Sequence, residues 1–555
     1  MAHQLKEQAR KLVEAERGTL LEQGRYQVAL CYPNRYAVAM ASLGYQVVYR
    51  LFNERPDFAC ERAVYPESPE SFDLSRVPLF TLERHRPVSE FDLIAFSFAF
   101  EPDLLHFIQM LDWAGLAPLA ADRDESCPPV LVGGPVTLSN ALPLGPFVDL
   151  VAMGDGEETI PNIMDVMERD LTKAQFLEAC AELPHVWVPS IHGEATPDNA
   201  KVGAEHLPAI GQIVTPNAEL SNMFLVETSR GCPRMCTFCV VRATVSPMRE
   251  ADPQLVLDSI PEWSPRVGFV GAAVTDYSHI HQVLEGAIER RKEIGISSLR
   301  ADRLDERLIL LLKEGGYRTL TVAADAPSEK QRAVIMKGIR ERHLVRAAEL
   351  ANWAGLRLMK LYMIIGLPGE DDGDLEDLVK LCRKLAKITP LAITLSPFVP
   401  KLHTPMAEAP FAGVKEIDRK LKKVRNALRG TVDVRSASAR WAWIEYRLSQ
   451  GGKEAGLAAL DALKLGGNFS AWKKAFKKVE EPRKAIALAQ SSGLWALDGV
   501  ESGGPAPPRP PKRLPWRGIE PDPAQVVDLQ RKLAMWKDEG TVEGKELSSP
   551  RREKN

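Results

Sequence analysis

The stretch Glu227-Thr-Ser-Arg-Gly-Cys-Pro-Arg-Met-Cys-Thr-Phe-Cys239 decides how the rest of this chain is read. It follows an apolar run over 223–226 and places Cys232, Cys236 and Cys239 in a C-x-x-x-C-x-x-C loop. Iron–sulfur clusters are held by cysteine thiolates, and a four-iron cubane normally takes four of them. A loop that offers three leaves one iron open to chelate a small molecule. The competing reading is a structural zinc site, which prefers four ligands in paired or histidine-containing sets. No histidine lies between His206 and His279, so a local fourth ligand is missing.

Working outward, apolar runs continue on both sides of the loop. Downstream, strands are expected over 266–275, 296–302, 319–325, 361–365 and 392–398, separated by helix-length segments. The fourth of these breaks into Gly366-Leu-Pro-Gly-Glu370, and the last runs into Val399-Pro-Lys-Leu-His-Thr-Pro405. Upstream, strands are expected over 26–32, 60–65, 91–97, 129–135 and 148–153, with helices over 36–53 and 102–111. This alternation predicts a doubly wound parallel sheet. Ligands in such sheets bind outside the carboxyl ends of the strands, which here carry Ser97, Gly133-Gly134-Pro135 and Gly154-Asp-Gly156. Glycines at those ends serve either close approach of a ligand or tight turns.

The cysteine loop, with Phe238 just before the third cysteine, resembles the signature of the radical S-adenosylmethionine (radical SAM) enzymes. The resemblance implies a [4Fe–4S] cluster on Cys232, Cys236 and Cys239, whose open iron chelates S-adenosylmethionine. One electron then cleaves the sulfonium to methionine and a 5′-deoxyadenosyl radical, so the cofactors carry the hard chemistry. It also implies a partial (β/α)6 barrel and a reducing donor such as flavodoxin or ferredoxin. Residues implied in cofactor binding are Phe238, Gly271 of Gly271-Ala-Ala273, Ser298, Arg300, Asp325, Arg332, Gly366 and Glu370. The segment Ala326-Pro-Ser-Glu-Lys-Gln-Arg332 resembles an Ala-Pro-Glu-Ala-Gly-Ser-Glu-x-x-Arg stretch of the cobalamin-type subgroup, with Asp325 in place of the usual glutamate. Arg332 would pair bidentately with a carboxylate there, or sit with Lys337 on a solvated helix face. Asp276 stands near the position of a Gly-Gly-Glu turn, and the stretch Leu361 to Glu370 resembles a Gly-x-Ile-x-Gly-Leu-Pro-Gly-Glu strand without its first glycine.

The amino-terminal α/β unit resembles the cobalamin-binding-like domain fused ahead of many radical SAM cores. The Asp-x-His-x-x-Gly motif that ligates cobalt in the best-known cobalamin domains is absent, and the region's first half offers only His85 and His106. Many radical SAM proteins with this domain also lack it, either holding cobalamin without a protein ligand or keeping the fold as a scaffold. Cobalamin therefore stays open at this point.

The expected organisation is an amino-terminal helix (1–25), a Rossmann-like domain (26–165), a linker (166–222), the radical SAM core (223–410), a helical basic region (411–500) and a Pro-rich, charged tail (501–555). Lysines 473, 474, 477 and 478 interleave with Trp441, Trp443, Phe469 and Trp472. Nucleic acid could use such a surface, but amphipathic helices with lysines outside and aromatics inside are the commoner origin. A net charge of −3 gives no global field for nucleic acid or membrane. No apolar run reaches membrane-spanning length, no signal peptide opens the chain, and the other cysteines are scattered singly, which together point to the cytoplasm. The alternatives are a methylthiotransferase-like or RNA-modifying enzyme and a non-catalytic iron–sulfur scaffold. No second cysteine triad supports the former, and nothing in the sequence names a substrate.

Overall fold

Two sets of parallel strands organise the computed structural model, which describes residues 2–479. The Pro-rich linker and charged tail read from the sequence lie outside the described residues. In the first set, β1 (Tyr26–Tyr32), β2 (Phe58–Val64), β3 (Leu93–Ser97), β4 (Val130–Gly133) and β5 (Leu150–Ala152) are parallel, and β6 (Val186–Trp187) adds an antiparallel edge. The order is β2-β1-β3-β4-β5-β6, so the chain reverses its direction of winding between β1 and β3. Strands β1, β2 and β3 are buried almost throughout because helices cover both faces, which is why they read as continuous apolar runs. The single helix expected over 36–53 is two. A short one, Tyr36–Ala39, ends before Ser42, whose side chain accepts the Tyr45 N–H and starts Leu43–Glu54. Likewise a capping box at Thr172 and Gln175 starts Lys173–Ala181 separately from Gly156–Met167. After β6 the chain makes a helical turn at Pro189–His192.

The second set begins with β7 (Ile210–Gly211) and β8 (Met223–Arg230), followed by β9 (Arg249–Glu250), β10 (Arg266–Gly271) and β11 (Glu293–Ile296). Then come β12 (Thr319–Ala323), β13 (Leu358–Ile365), β14 (Leu391–Pro397) and β15 (Asp433–Ser436). The pairings β8-β10-β11 and β12-β13-β14-β15 are parallel, and a parallel bridge between Leu299 and Val322 joins the two groups into one partial barrel. β7 and β9 pair antiparallel to β8 at its outer side. The strand expected over 296–302 lies earlier and ends at Ile296, so Ser298 and Arg300 stand on the loop beyond it. Along each strand alternate residues face the helices: Phe224 and Val226, Val267 and Phe269, Leu320 and Val322, Met359 and Leu361 share one buried cluster with them.

The segment 166–222 is more than a linker, since β6 closes the first sheet and β7 extends the second. The carboxyl-terminal helices Ala439–Gln450, Lys453–Lys464 and Phe469–Ala475 belong to the amino-terminal core. Ile444, Leu448, Ala459, Trp472 and Phe476 join the same buried cluster as Phe107 and Phe147. Asn140 fixes the attachment by donating to the carbonyls of Leu448 (3.2 Å), Ser449 (3.2 Å) and Gly451 (2.7 Å). Trp443, Phe469 and Trp472 thus pack inward and Lys473, Lys474, Lys477 and Lys478 point outward, the ordinary amphipathic arrangement, while Trp441 stays exposed.

Candidate functional site

The cysteine loop leaves the carboxyl end of β8, where barrel enzymes keep their reactive groups. Gly231 makes the exit: at φ +86° it passes so close to the strand's neighbours that a Cβ would sit 2.7 Å from the Pro247 carbonyl oxygen and 2.8 Å from that of Val245. The loop is then tied down at several points. Ser246 Oγ donates to the Cys232 carbonyl (2.9 Å), Arg242 to that of Met235 (3.1 Å), and the Thr237 N–H reaches the Ile335 carbonyl (3.1 Å). Cys236 is buried and Cys232 and Cys239 half-buried; the Cys239 thiol lies near enough to both others to act on their charge. Burial pushes the Cys232 and Cys236 thiols up, while the nearby Lys337 and Arg300 cations oppose this at Cys236. Neither the three thiols nor any other set of His, Cys, Asp and Glu among the described residues is drawn together as a finished metal site. Three thiols on one anchored loop beside two cations, with Ser229 Oγ buried and without a partner at the adjoining strand, is nevertheless a donor set that fits a cluster with one open iron.

A ring of charged residues braces this loop. Arg234 forms a two-pronged pair with Asp276, which also meets Arg303 at 3.0 Å. Burial raises the Asp276 carboxyl, but the three facing guanidiniums outweigh it and hold it below the usual range. Arg300 chelates Asp302 (3.1 and 3.0 Å) and donates to the Lys337 carbonyl (3.0 Å), while Lys337 itself grips Asp325. Arg332 corrects the expectation most clearly. It pairs with no carboxylate and is not solvated; it is buried and donates to the carbonyls of Ile339 (2.8 Å) and Ala326 (3.1 Å). Lys337 is likewise no solvated residue, being closed into its pair with Asp325.

The Gly366 turn is held from inside. Glu370 accepts the Gly366 N–H at 2.9 Å and the Leu367 N–H at 3.4 Å, and pairs with Lys420 at 2.8 Å, all buried. It shapes the turn rather than facing a ligand. Gly366 lies at φ +83°, which a residue with a Cβ rarely adopts. Beneath the turn Phe238 and Ile364 pack with Ile335, Leu367 and Phe398 in a small apolar cluster that roofs the barrel. Gly271 ends β10 at a bulge, where a Cβ would press the Ser229 carbonyl oxygen at 2.9 Å. Ser298 is exposed. The structure therefore gathers Cys232, Cys236, Phe238, Cys239, Arg300 and Asp325 at one end of the barrel, with Arg332 and Glu370 behind its wall.

Sequence reasoning passed over Arg230. It leaves β8 just before the cysteines and meets Glu227 (2.7 Å), Glu157 (2.8 Å) and Asp155 (3.4 Å). The last two belong to the Gly154-Asp-Gly-Glu turn at the end of β5, so one guanidinium joins the amino-terminal crevice to the cysteine loop. Its signal was present as an Arg beside the first cysteine, but its partner lies 73 residues away. Arg230→Met leaves Glu157 and Glu227 buried and unpaired, and a loss of about 3 kcal/mol of stability is expected in a denaturant titration.

The crevice itself lies at the carboxyl ends of β1, β3, β4 and β5, lined by Leu30, Ala95, Ser97, Gly133, Gly134 and Gly154, with a volume of about 250 Å³. Its glycines serve turns: Gly134 (φ +107°) abuts Phe98 backbone and Gly154 (φ +87°) that of Ala200, both within 3 Å of a Cβ.

Residues 226–382 match the radical SAM superfamily and residues 44–189 match the amino-terminal domain of radical SAM proteins. The chain belongs to the radical SAM superfamily. It is therefore an enzyme of that superfamily, with a [4Fe–4S] cluster and S-adenosylmethionine as cofactors, and such enzymes need a reducing electron donor. A Methanocaldococcus jannaschii protein described as uncharacterized is 28% identical over 71% of this chain and 83% of its own length. A Pyrococcus horikoshii protein described as an uncharacterized methyltransferase is 24% identical over 52% of this chain and 65% of its own. Among solved structures, the cobalamin-dependent S-adenosylmethionine radical enzyme OxsB with aqua-cobalamin and S-adenosylmethionine bound aligns with a TM-score of 0.50 at 14% identity. The alignment covers 84% of this chain and 70% of OxsB, which shows a shared fold of Rossmann-like domain and partial barrel. Among the described residues no helix is long and apolar enough to cross a membrane.

Proposed function

We propose that Cys232, Cys236 and Cys239 hold the cluster at the mouth of the barrel, and that the enzyme carries out cobalamin-assisted methyl transfer on a substrate seated inside it. The observation that carries this reading is the placement of the three-cysteine loop at the end of β8, next to the Gly366 turn and braced against the amino-terminal crevice by Arg230. When bound, the cluster and S-adenosylmethionine supply one-electron cleavage of the sulfonium, giving methionine and a carbon-centred radical. The chain's own residues then do four things. Phe238 and Ile364 exclude water from the mouth. Gly271, Ser298 and the Gly366 turn offer an open rim for the adenosine part of the ligand. Arg300, Asp325 and Lys337 keep charge fixed beside the loop. Arg332 and Glu370 hold that rim in shape from behind.

Cobalamin enters on two grounds: the crevice sits at the point where ligands bind in doubly wound sheets, and OxsB, which shares the fold, binds it. With a volume of about 250 Å³ the crevice would hold only part of the group, through Ser97, Gly133, Gly134 and Gly154. Among the described residues His85 and His106 are the histidines of that domain's first half. His106 stacks on Tyr65 and meets the Pro33 carbonyl oxygen at 3.0 Å, so the group would be held by the crevice lining rather than through this histidine. Flavodoxin or ferredoxin would supply the electron, in a reducing cytoplasm where all eight cysteines stay free thiols or cluster ligands.

Incubation with hydroxocobalamin followed by gel filtration tests this reading. Retention of cobalamin, read from the visible spectrum of the protein peak, is expected. Complete loss on the column would leave a radical SAM enzyme whose first domain is only a scaffold.

A further inference from the structure

Inside the barrel, the alternation that sends Met359, Leu361 and Met363 to the helices sends Lys360, Tyr362 and Ile364 inward. Lys360 stands in register with Thr321 of β12 and Ala392 of β14, and Tyr362 with Ala323 and Thr394. A cavity of about 780 Å³ opens at the amino-terminal half of this inner face and reaches up to Lys360, lined also by Tyr317, Thr321, Leu225 and the glycines of β10 and β11. The glycines make the room: the Met223 thioether lies across them, and a Cβ on Gly268 or Gly295 would stand 2.6 or 2.5 Å from it. Tyr362 is 40% exposed, which for a tyrosine in the middle of a barrel strand means that it faces open space.

Most charge on this face is matched, although Arg318, exposed at the cavity's outer edge, has no ion pair among the described residues. Glu227 pairs with Arg230 (2.7 Å), Glu293 with Arg266 (3.2 Å) and Asp433 with Arg435 (3.0 Å). Lys360, half-buried, has no ion pair and no hydrogen bond among the described residues. A cation held in a partly desolvated cleft without a counter-charge is unfavourable by itself and becomes favourable when an anion arrives. At about 3.3 Å per residue, Tyr362 lies roughly 7 Å and Lys360 roughly 13 Å down the strand from Ile364, which packs against the same apolar cluster as Phe238 of the cysteine loop.

We propose that the substrate carries an anionic group, a carboxylate or a phosphate, on an arm that runs down the barrel from beneath Phe238, past Tyr362, to Lys360. Lys360 is then the residue that selects the substrate and sets how deep it sits. This rests on the reading that the barrel interior is the reaction chamber. Its test is a binding measurement that needs neither cluster nor S-adenosylmethionine, so the two can fail separately.

The full chain is titrated calorimetrically with hexanoate, hexyl phosphate and, as the neutral counterpart, hexanol. Wild type is expected to bind at least one of the anions at millimolar concentration or better, and more tightly than hexanol; the tighter anion names the head group. Lys360→Met is expected to weaken that anion by about tenfold or more while leaving hexanol unchanged, and Lys360→Arg to restore most of the affinity. An unchanged anion affinity in Lys360→Met, equal binding of hexanol and the anions, or no binding of either anion by wild type would each overturn the proposal. Circular dichroism of both variants checks that they fold, and the arginine variant keeps the test decisive if the methionine variant does not.

Discussion

Alanine in place of Cys232, Cys236 or Cys239 is expected to abolish formation of 5′-deoxyadenosine from S-adenosylmethionine while the protein stays folded. The expectation follows from what each cysteine does in the fold, which is little. None of the three side chains holds the loop; its anchors are the Gly231 turn, the Ser246 bond to the Cys232 carbonyl and the Arg234–Asp276 pair. Removing a thiol therefore leaves the loop's path intact and removes one of the three proposed cluster ligands. Loss of product should exceed about a hundredfold, more than the loss of a supporting partner around a metal usually brings. Product analysis after reduction with dithionite checks it, with thermal melting run alongside. Retained cleavage in any one variant would remove that cysteine from the ligand set.

Lys420→Met is expected to give the largest loss of stability, about 3–5 kcal/mol. Lys420 and Glu370 are both buried, and the lysine also donates to the Glu370 carbonyl at 3.0 Å. Burial raises the Glu370 carboxyl, opposed by the Lys420 charge and by the Gly366 and Leu367 N–H groups. Without the lysine the carboxylate is left in an apolar wall with no counter-charge, the situation in which breaking a buried pair is most damaging. The loosened turn is the one that carries Gly366, so the affinity for S-adenosylmethionine should fall as well. Combining it with Glu370→Gln removes the stranded charge and should recover much of the stability. A double-mutant cycle by denaturant unfolding reads both effects, and additivity of the two single changes would show that the pair does not act as a unit.

Much of this architecture was legible in the sequence because its strands are either buried on both faces or punctuated by glycine and proline. The run over 26–32 and the Gly366-Leu-Pro-Gly-Glu370 break gave β1 and the end of β13 directly. Local capping decided the point that was misread: Ser42 starts a new helix where the apolar spacing alone runs on. The strand β11 was placed late because Glu293-Ile-Gly-Ile296 carries a glycine needed for Met223, whereas Ser298 and Arg300 looked strand-like beside Leu299.

Site residues divide in a similar way. The cysteines announce themselves through spacing. Arg332 and Glu370 were recognisable as significant but not as braces, because a partner 50 residues away, such as Lys420, leaves no local mark. Lys360 was legible in principle, being the one charge in the apolar alternation Leu358-Met-Lys-Leu-Tyr-Met-Ile-Ile365. What the sequence could not give was that this lysine lacks a counter-charge, which depends on the arginines that β8, β10 and β15 bring to the same face. The attachment of the carboxyl-terminal helices to the amino-terminal core was hidden for the same reason, since Asn140 and Gly451 meet across 311 residues.

The central claim is that this chain starts radical chemistry through S-adenosylmethionine at the cysteine loop. Anaerobic reconstitution of the full protein with iron and sulfide, followed by dithionite and S-adenosylmethionine, tests it most directly. The account predicts 5′-deoxyadenosine and methionine, formed only when cluster and reductant are both present. A protein that takes up a cluster yet returns S-adenosylmethionine intact would contradict it.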